Sequence, residues 1–161
     1  MVAIVPGRRR CGPQSGFTLV EVMVAIAIVA IFAALAAPSF AELIARTRTK
    51  SVASELHAAL SRTRSEALMR NTQITIVAKS GSWQSGWVVS DPSGGGNIDD
   101  RGATAGVSVS GPASVSFNAS GRLSSSAPPM FVVTSPVSAA ATACVSVDLG
   151  GRPYIKMAAT C

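Results

Sequence analysis

A single carboxylate interrupts a long apolar stretch near the start of the chain. The segment SGFTLVEVMVAIAIVAIFAALAAP covers residues 15–38, and Glu21 is the only formal charge between Phe17 and Ala37. A charge in such surroundings needs a partner. If the chain is cut between Gly16 and Phe17, Glu21 lies about 6 Å along a helix from the new α-amino group and can neutralise the amine of a neighbouring copy. The alternative is that Glu21 lies near enough to a membrane interface to stay solvated.

The three cysteines of the chain suggest one covalent bond. Cys11 precedes the apolar stretch, which leaves Cys144 and Cys161. In an oxidising compartment these two can close a loop of about 18 residues, which stabilises the fold by roughly 3 kcal/mol in the chain-entropy model. The bond would also hold Cys161, a terminal residue that otherwise frays. The alternative is a pair of free buried thiols.

A third set of side chains could bind an anion. In the segment GGRPYIK, Arg152, Tyr154 and Lys156 stand at alternating positions, and alternate residues of a strand share a face. Two cations with an aromatic ring between them can contact phosphates and stack on a base, which predicts weak, salt-sensitive DNA binding. The alternative is an exposed hairpin whose basic residues keep it soluble.

Enzymatic and metal-binding patterns find little support. His57 is the only histidine and falls in a predicted helix, which excludes a multi-histidine metal site. The glycine-rich segment Ser93–Asn97 lacks the Gly-Lys-Ser/Thr ending of a phosphate loop and predicts a hairpin tip. We expect no catalysis, no cofactor and no metal. Four residues could supply oxygen ligands to calcium, namely Asp91, Asn97, Asp99 and Asp100. Their spacing is unlike that of a known calcium loop.

The N-terminal residues divide into a basic segment and an apolar helix. Residues 1–16 form a predicted leader whose three arginines supply half of the net charge of +6. Without it, 11 basic and 8 acidic residues leave +3, too little to imply strong attraction to polyanions. Residues 17–37 make about 31 Å of helix, the thickness of a bilayer core, and are predicted to span a membrane. Small residues at Ala34 and Ala36 leave ordinary signal cleavage as an alternative.

Orientation of the predicted span does not follow from charge alone. Basic residues flank it on both sides, at positions 8–10 and at 46, 48 and 50. The proposed disulfide decides between the two orientations, because the residues after the span need the oxidising side of the membrane. The leader is then cytoplasmic.

Residues 38–71 predict an amphipathic continuation of the helix, packed on a sheet. Glu66 precedes Arg70 by four residues, the favourable order for a helical ion pair, and Asn71 suits a left-handed residue just after the helix. Pro38 should bend or loosen the helix, because it lacks a backbone donor. The predicted buried face contains Val52, Leu56, Ala59, Leu60, Thr63 and Ala67.

Residues 72–161 predict a β-rich head, because short runs of β-branched and aromatic residues alternate with turn residues. One long helix followed by an antiparallel sheet is an α+β fold. The order of the strands stays open. The predicted strands are 74–78, 87–90, 107–109, 115–117, 131–134, 144–147 and 154–157, the last two joined by a turn at 148–151.

The N-terminal pattern resembles a known processing signal. Gly16-Phe17-Thr18-Leu19-Val20-Glu21, after a basic leader and before a long apolar helix with Pro38, is similar to the class III signal of type IV prepilins and type II secretion pseudopilins. The resemblance implies that a prepilin peptidase cuts after Gly16 and methylates the amine of Phe17. It also implies that Glu21 registers the subunit in a helical filament. The expected location is a bacterial inner membrane, crossed once, with the head in the periplasm, and then the filament.

The chain after Pro38 contains a series of short motifs, which are Arg64-Ser65-Glu66-Ala67, Gly86-Trp87-Val88-Val89, Phe117-Asn118, Gly121-Arg122 and the terminal cysteine pair. In this order they resemble one branch of the same superfamily, the GspH/FimT-type minor pilins and pseudopilins. The resemblance implies a type IV pilin-like fold, a filament-priming or capping role, and other pilins or pseudopilins as partners. Some FimT-like members bind DNA through a C-terminal Gly-Arg-x-Arg pattern, of which Gly151 and Arg152 match the first half while Tyr154 replaces the second arginine. A membrane-anchored binding domain without a filament role is the remaining alternative.

Overall fold

A computed structural model describes residues 16–161, without the side chains of residues 36 and 37. Apart from Gly16, the predicted leader, with Cys11, lies outside the described residues. The chain forms two compact units that meet between Pro38 and Ser39. Helix α1 (Leu19–Arg70) contains 52 residues and has Pro38 in its interior. It begins two residues later than predicted, because Thr18 acts as its N-cap.

The length and hydropathy of the segments of α1 bear on the predicted membrane span. Within the described residues, no single helix is long and apolar enough to cross a bilayer. The segments Leu19–Leu35 and Pro38–Arg70, on either side of residues 36 and 37, reach that length and hydropathy only when they are taken together.

Eight antiparallel strands form two four-stranded sheets. The first sheet has the order β3-β2-β1-β5 and the second has the order β4-β6-β7-β8. Seven of the strands match the predicted ones to within a few residues, and the α+β fold class is confirmed. The strands are β1 (Ile74–Ala78), β2 (Trp87–Ser90), β3 (Asn97–Arg101), β4 (Ser108–Ser110), β5 (Ser114–Phe117), β6 (Met130–Thr134), β7 (Thr142–Val147) and β8 (Pro153–Lys156).

The hydrophobic core combines the buried face of α1 with both sheets. Leu56 and Leu60 are fully buried, and every residue of the predicted helix face is buried as well. Trp83 lies just before β2 and meets Phe131 of β6 edge to face, with ring centroids 4.8 Å apart. Its indole N–H donates to the carbonyl oxygen of Pro112 at 2.5 Å. This aromatic pair therefore connects the segment just before β2 with the second sheet in the core.

The end of α1 follows the predicted pattern. Asn71 adopts a left-handed conformation with φ 49°. Its N–H donates to Leu68 O at 3.4 Å, and the N–H of Thr72 donates to Ala67 O at 3.2 Å, which satisfies carbonyls at the end of the helix. The predicted ion pair between Glu66 and Arg70 is also present, at 2.8 Å.

One strand was missed by the sequence analysis. β3 has the sequence NIDDR and pairs with β2 across the predicted hairpin tip. Asp and Asn disfavour strands in general, but β3 is an edge strand and its residues are exposed or half-buried. Charges at an edge strand also discourage pairing with other chains.

Candidate functional site

The residues of the predicted processing signal lie at the start of α1. Phe17 is 81% exposed, and Glu21 is exposed at the third position of the helix. The backbone N–H of Glu21 donates to Thr18 Oγ1 at 3.2 Å. Thr18-x-x-Glu21 has the spacing of a capping box, in which the first residue caps the helix and the fourth is acidic. The sequence analysis missed the role of Thr18, although this spacing was visible in it.

The capping geometry gives Glu21 an electrostatic role. The first turn of a helix carries partial positive charge, which favours a carboxylate and disfavours an added cation. An α-amino group created at Phe17 would be such a cation, one residue before the N-cap. A carboxylate at Glu21 offsets it, whether it belongs to the same copy or to a neighbour.

The large apolar side chains that follow Glu21 are exposed in the part of the first unit that the structure describes. A continuous exposed apolar surface of this kind marks a site that contacts lipid or other protein chains. The exposed large side chains of this helical segment are Leu19, Val20, Val22, Met23, Val24, Ile26, Ile28, Val29, Ile31, Phe32 and Leu35.

The two cysteines after the apolar segment form a disulfide. Cys144 is fully buried in β7, and its Cα lies 5.5 Å from that of Cys161. The Lys156 ammonium donates to the carbonyl oxygen of Cys161. Two contacts thus hold residue 161 against the second sheet.

The structure brings together only part of the predicted anion site. Tyr154 and Lys156 lie on one face of β8, with the Lys156 ammonium 5.7 Å from the centroid of the Tyr154 ring. That ammonium also binds Cys161, whereas the Arg152 side chain is exposed. The Arg152 guanidinium makes no hydrogen bond or ion pair with any residue in the described range 16–161. Arg152 precedes β8 and belongs to the turn between β7 and β8.

Most of the residues considered for metal binding have other side-chain partners. His57 Nε2 lies 3.3 Å from the carbonyl oxygen of Pro153, which can only accept a hydrogen bond. Asp91 accepts hydrogen bonds from the Ser93 backbone N–H and from Arg70, at 2.8 and 2.7 Å. The hydrogen bond from Ser93 has the larger effect and the one from Arg70 the smaller, and both hold the pKa of Asp91 below its usual value.

The other two acidic residues of this group, Asp99 and Asp100, lie in β3. The Lys79 ammonium binds Asp100 and lowers the pKa of its carboxyl group. The Asn97 amide donates to the other Asp100 oxygen at 2.9 Å. Asp99 pairs with Val89 in the β2–β3 ladder. These contacts account for the acidic residues as parts of a β-hairpin.

Comparisons with protein families match both parts of the chain. Residues 52–151 match the family described as type II transport protein GspH. Residues 12–37 match the prokaryotic N-terminal methylation motif. The first match covers more than half of the chain, and the second contains Gly16, Phe17 and Glu21.

Individual relatives share either a short segment or the fold. A type IV major alpha-pilin and fimbrial protein Q, both of Moraxella bovis, are each 47% identical over 45 residues. The matched segment makes up 28% of this chain, 28% of the alpha-pilin and 29% of fimbrial protein Q. The chain therefore spans under a third of the length of these relatives. Two crystal structures of the type IV minor pilin FimU of Pseudomonas aeruginosa have TM-scores of 0.61 and 0.57 at 22% identity. They cover 69% and 66% of this chain, and 90% and 91% of their own.

Proposed function

The chain belongs to the GspH family of type II transport proteins, and from this premise we propose that it is a minor pilin or pseudopilin that works by assembly. The observation that carries the proposal is the arrangement at the start of α1. Gly16 and an exposed phenylalanine precede a capped helix, and the carboxylate in the first turn of this helix is followed by a long exposed apolar segment.

The exposed apolar segment has two successive environments in this proposal. It holds the subunit in the inner membrane, with the head in the periplasm, until assembly. It then packs against the helices of other subunits in the filament. Both environments remove the same apolar surface from water, so the subunit can move from lipid to filament at modest cost in free energy.

Glu21 selects the register of the subunit in the filament. Prepilin peptidase cuts after Gly16 and the amine of Phe17 is methylated, which leaves a cation beside the start of α1. The Glu21 carboxylate of one copy neutralises the amine of its neighbour. In surroundings with few polar groups, an unpaired charge is costly, so subunits out of register are disfavoured.

Two assemblies remain candidates for this subunit. The type IV pilus is supported by the fold shared with FimU, and the type II secretion pseudopilus by the description of the GspH family. In either one, the subunit helps to prime or cap the filament. A survey of neighbouring genes separates the two, because pilus and secretion operons encode different partner subunits.

A contact with DNA is a second proposed function, and the exposed guanidinium of Arg152 favours it. Arg152 is exposed in the turn that joins β7 to β8 of the second sheet, and the disulfide links β7 to Cys161. With few cations available, binding should be weak and should decrease steeply with salt.

The decisive experiment is mass spectrometry of the mature protein from cells that contain prepilin peptidase. We expect an N-terminal methylated Phe17. A Gly16→Leu variant is the control and should keep the leader. A Cβ at Gly16 would meet no other atom within 4 Å, so this change should not disturb the folded chain. A wild-type protein that retains its leader, or that begins near Pro38, would contradict the proposal.

A further inference from the structure

Two loops of the head have the same construction. The Asn118 loop (Asn118-Ala119-Ser120-Gly121-Arg122) follows β5, and the Asp148 loop (Asp148-Leu149-Gly150-Gly151-Arg152) joins β7 to β8. In each loop, the arginine N–H donates to the side-chain oxygen of the first residue, at 3.0 and 2.8 Å. The glycine N–H donates to the carbonyl oxygen of the first residue, at 2.8 Å in both. Both glycines have positive φ, at 70° and 85°.

The two loops lie directly against each other. A Cβ added at Gly151 would be 1.9 Å from the carbonyl oxygen of Gly121 and 3.2 Å from the Cα of Arg122. Arg64 of α1 connects them, because its Nε donates to Gly121 O at 2.9 Å and its Nη2 to Gly150 O at 3.4 Å. The backbone and Arg64 thus fix the spacing of the loops.

This contact brings two exposed cations together. Arg122 and Arg152 are both exposed, and within residues 16–161 neither guanidinium has a hydrogen-bond or ion-pair partner. The Cβ position of Gly151 is 3.2 Å from the Cα of Arg122, and Arg152 directly follows Gly151. Because consecutive Cα atoms are about 3.8 Å apart, the Cα atoms of the two arginines lie within about 9 Å of each other. Two flexible side chains at that separation can reach one anion. The acidic residue of these loops is Asp148, whose Oδ1 already accepts a hydrogen bond from the Arg152 backbone.

We propose that Arg122 and Arg152 together bind phosphodiester groups of nucleic acid. The proposal rests on the DNA contact proposed above and adds its second cation. β8 does not supply that cation freely, because the Lys156 ammonium binds Cys161. A planar guanidinium fork matches phosphate oxygens, and Tyr154, two residues after Arg152, offers a ring on which a base can stack.

The test measures binding of the full-length chain, in a neutral detergent, to a fluorescent oligothymidine at several salt concentrations. Arg122→Gln and Arg152→Gln should each weaken binding about tenfold. Each should also reduce the slope of log K against log salt by about 0.7. Arg122→Lys keeps the charge and should recover the slope but only part of the affinity. Thermal unfolding of each variant checks that the head is folded.

Arg62→Gln is the matched control. Arg62 is an exposed arginine of α1, and its guanidinium has no hydrogen-bond or ion-pair partner among the described residues. This variant loses the same charge at a position outside both loops, so its affinity should stay close to that of the wild type.

Three results would overturn the joint site. If Arg122→Gln binds like Arg62→Gln while Arg152→Gln is weakened, the second cation is wrong and the DNA contact stands. If the wild-type chain shows no salt-sensitive binding, both proposals are wrong. If polyglutamate binds as well as the oligonucleotide and depends on the same arginines, the surface recognises acidic protein instead.

Discussion

The N-terminal helical segment and the β-rich head carry their functional information in different ways. In the segment up to Pro38, the candidate residues Gly16, Phe17 and Glu21 are neighbours in sequence, and the large apolar side chains are exposed. In the head, the candidate arginines Arg122 and Arg152 come from separate loops, and folding of a buried core brings them together.

This difference separates two kinds of mutational effect. A residue in the N-terminal segment contributes little to head stability, so its substitution should change processing or assembly alone. A core residue of the head should change stability while N-terminal processing stays intact. The following four predictions test this separation.

Glu21→Ala should produce the largest functional effect. The variant should insert in the membrane and be cleaved, but its level in filaments should fall below about a tenth of wild type. The reason is that the α-amino group of Phe17 would lose its carboxylate partner, and an uncompensated charge costs several kcal/mol in apolar surroundings. Immunoblots of sheared filaments measure this level. The control is Glu42→Ala, which breaks an exposed 2.6 Å pair with Arg46 and should assemble. Normal assembly of Glu21→Ala would refute the charge-pair mechanism.

Leu60→Ala should give the largest loss of stability. Leu60 is fully buried in the core between α1 and the sheets, and such truncations cost about 2 to 5 kcal/mol. Chemical denaturation measures the free energy of unfolding, and mass spectrometry should still find a processed N-terminus. Leu43→Ala, at an exposed position of the same helix, should change stability by less than about 0.5 kcal/mol.

Removal of the disulfide should give an intermediate effect on the head. Cys161→Ser opens the link to Cys144 and should lower the free energy of unfolding by about 3 kcal/mol. Wild-type protein treated with a reductant is the matched comparison and should lose a similar amount. Equal stability of oxidised and reduced wild type would show that the bond does not support the fold.

Asp91→Asn should give the smallest effect, and one that depends on pH. The folded state lowers the pKa of Asp91, mainly through the Ser93 N–H and then through Arg70. The ionised carboxylate therefore stabilises the head above the unfolded-state pKa of about 3.9. That contribution is lost as the pH falls through the lower folded-state pKa.

The measurement for Asp91→Asn is thermal unfolding at pH 7 and below pH 3. The variant should melt a few degrees or less below wild type at pH 7, and the difference should vanish at the acidic pH. Asp99→Asn is the control, because the Asp99 carboxylate makes no hydrogen bond or ion pair within residues 16–161. A difference that persists unchanged in acid would mean that the charge of Asp91 is not involved.

The sequence predicted those parts of the fold in which one local pattern determines the structure. Apolar spacing identified the buried face of α1, including Leu56 and Leu60, because helical periodicity maps directly onto burial. Asn71 marked the helix end, since few other residues adopt positive φ there. β3 was missed because its pairing with β2 overrides the low strand propensity of its acidic residues.

The candidate site in the head required information that no local pattern contains. Both Gly-Arg dipeptides were visible in the sequence, and Arg152 was identified as a binding candidate. The contact between Gly121 and Gly151 depends on how the two sheets pack around Arg64. Residues 30 positions apart can be neighbours in many strand orders, so Arg122 could not be assigned as a partner of Arg152.

The close approach of Gly151 to Gly121 limits how this part of the head can diversify. Any side chain at position 151 would collide with the opposing carbonyl oxygen, and its positive φ already strains residues other than glycine. In a saturation library selected for folded protein, glycine should dominate at 151. The exposed neighbours Ser120 and Leu149 should accept many amino acids, which makes those two positions suitable for attaching probes or for altering ligand preference.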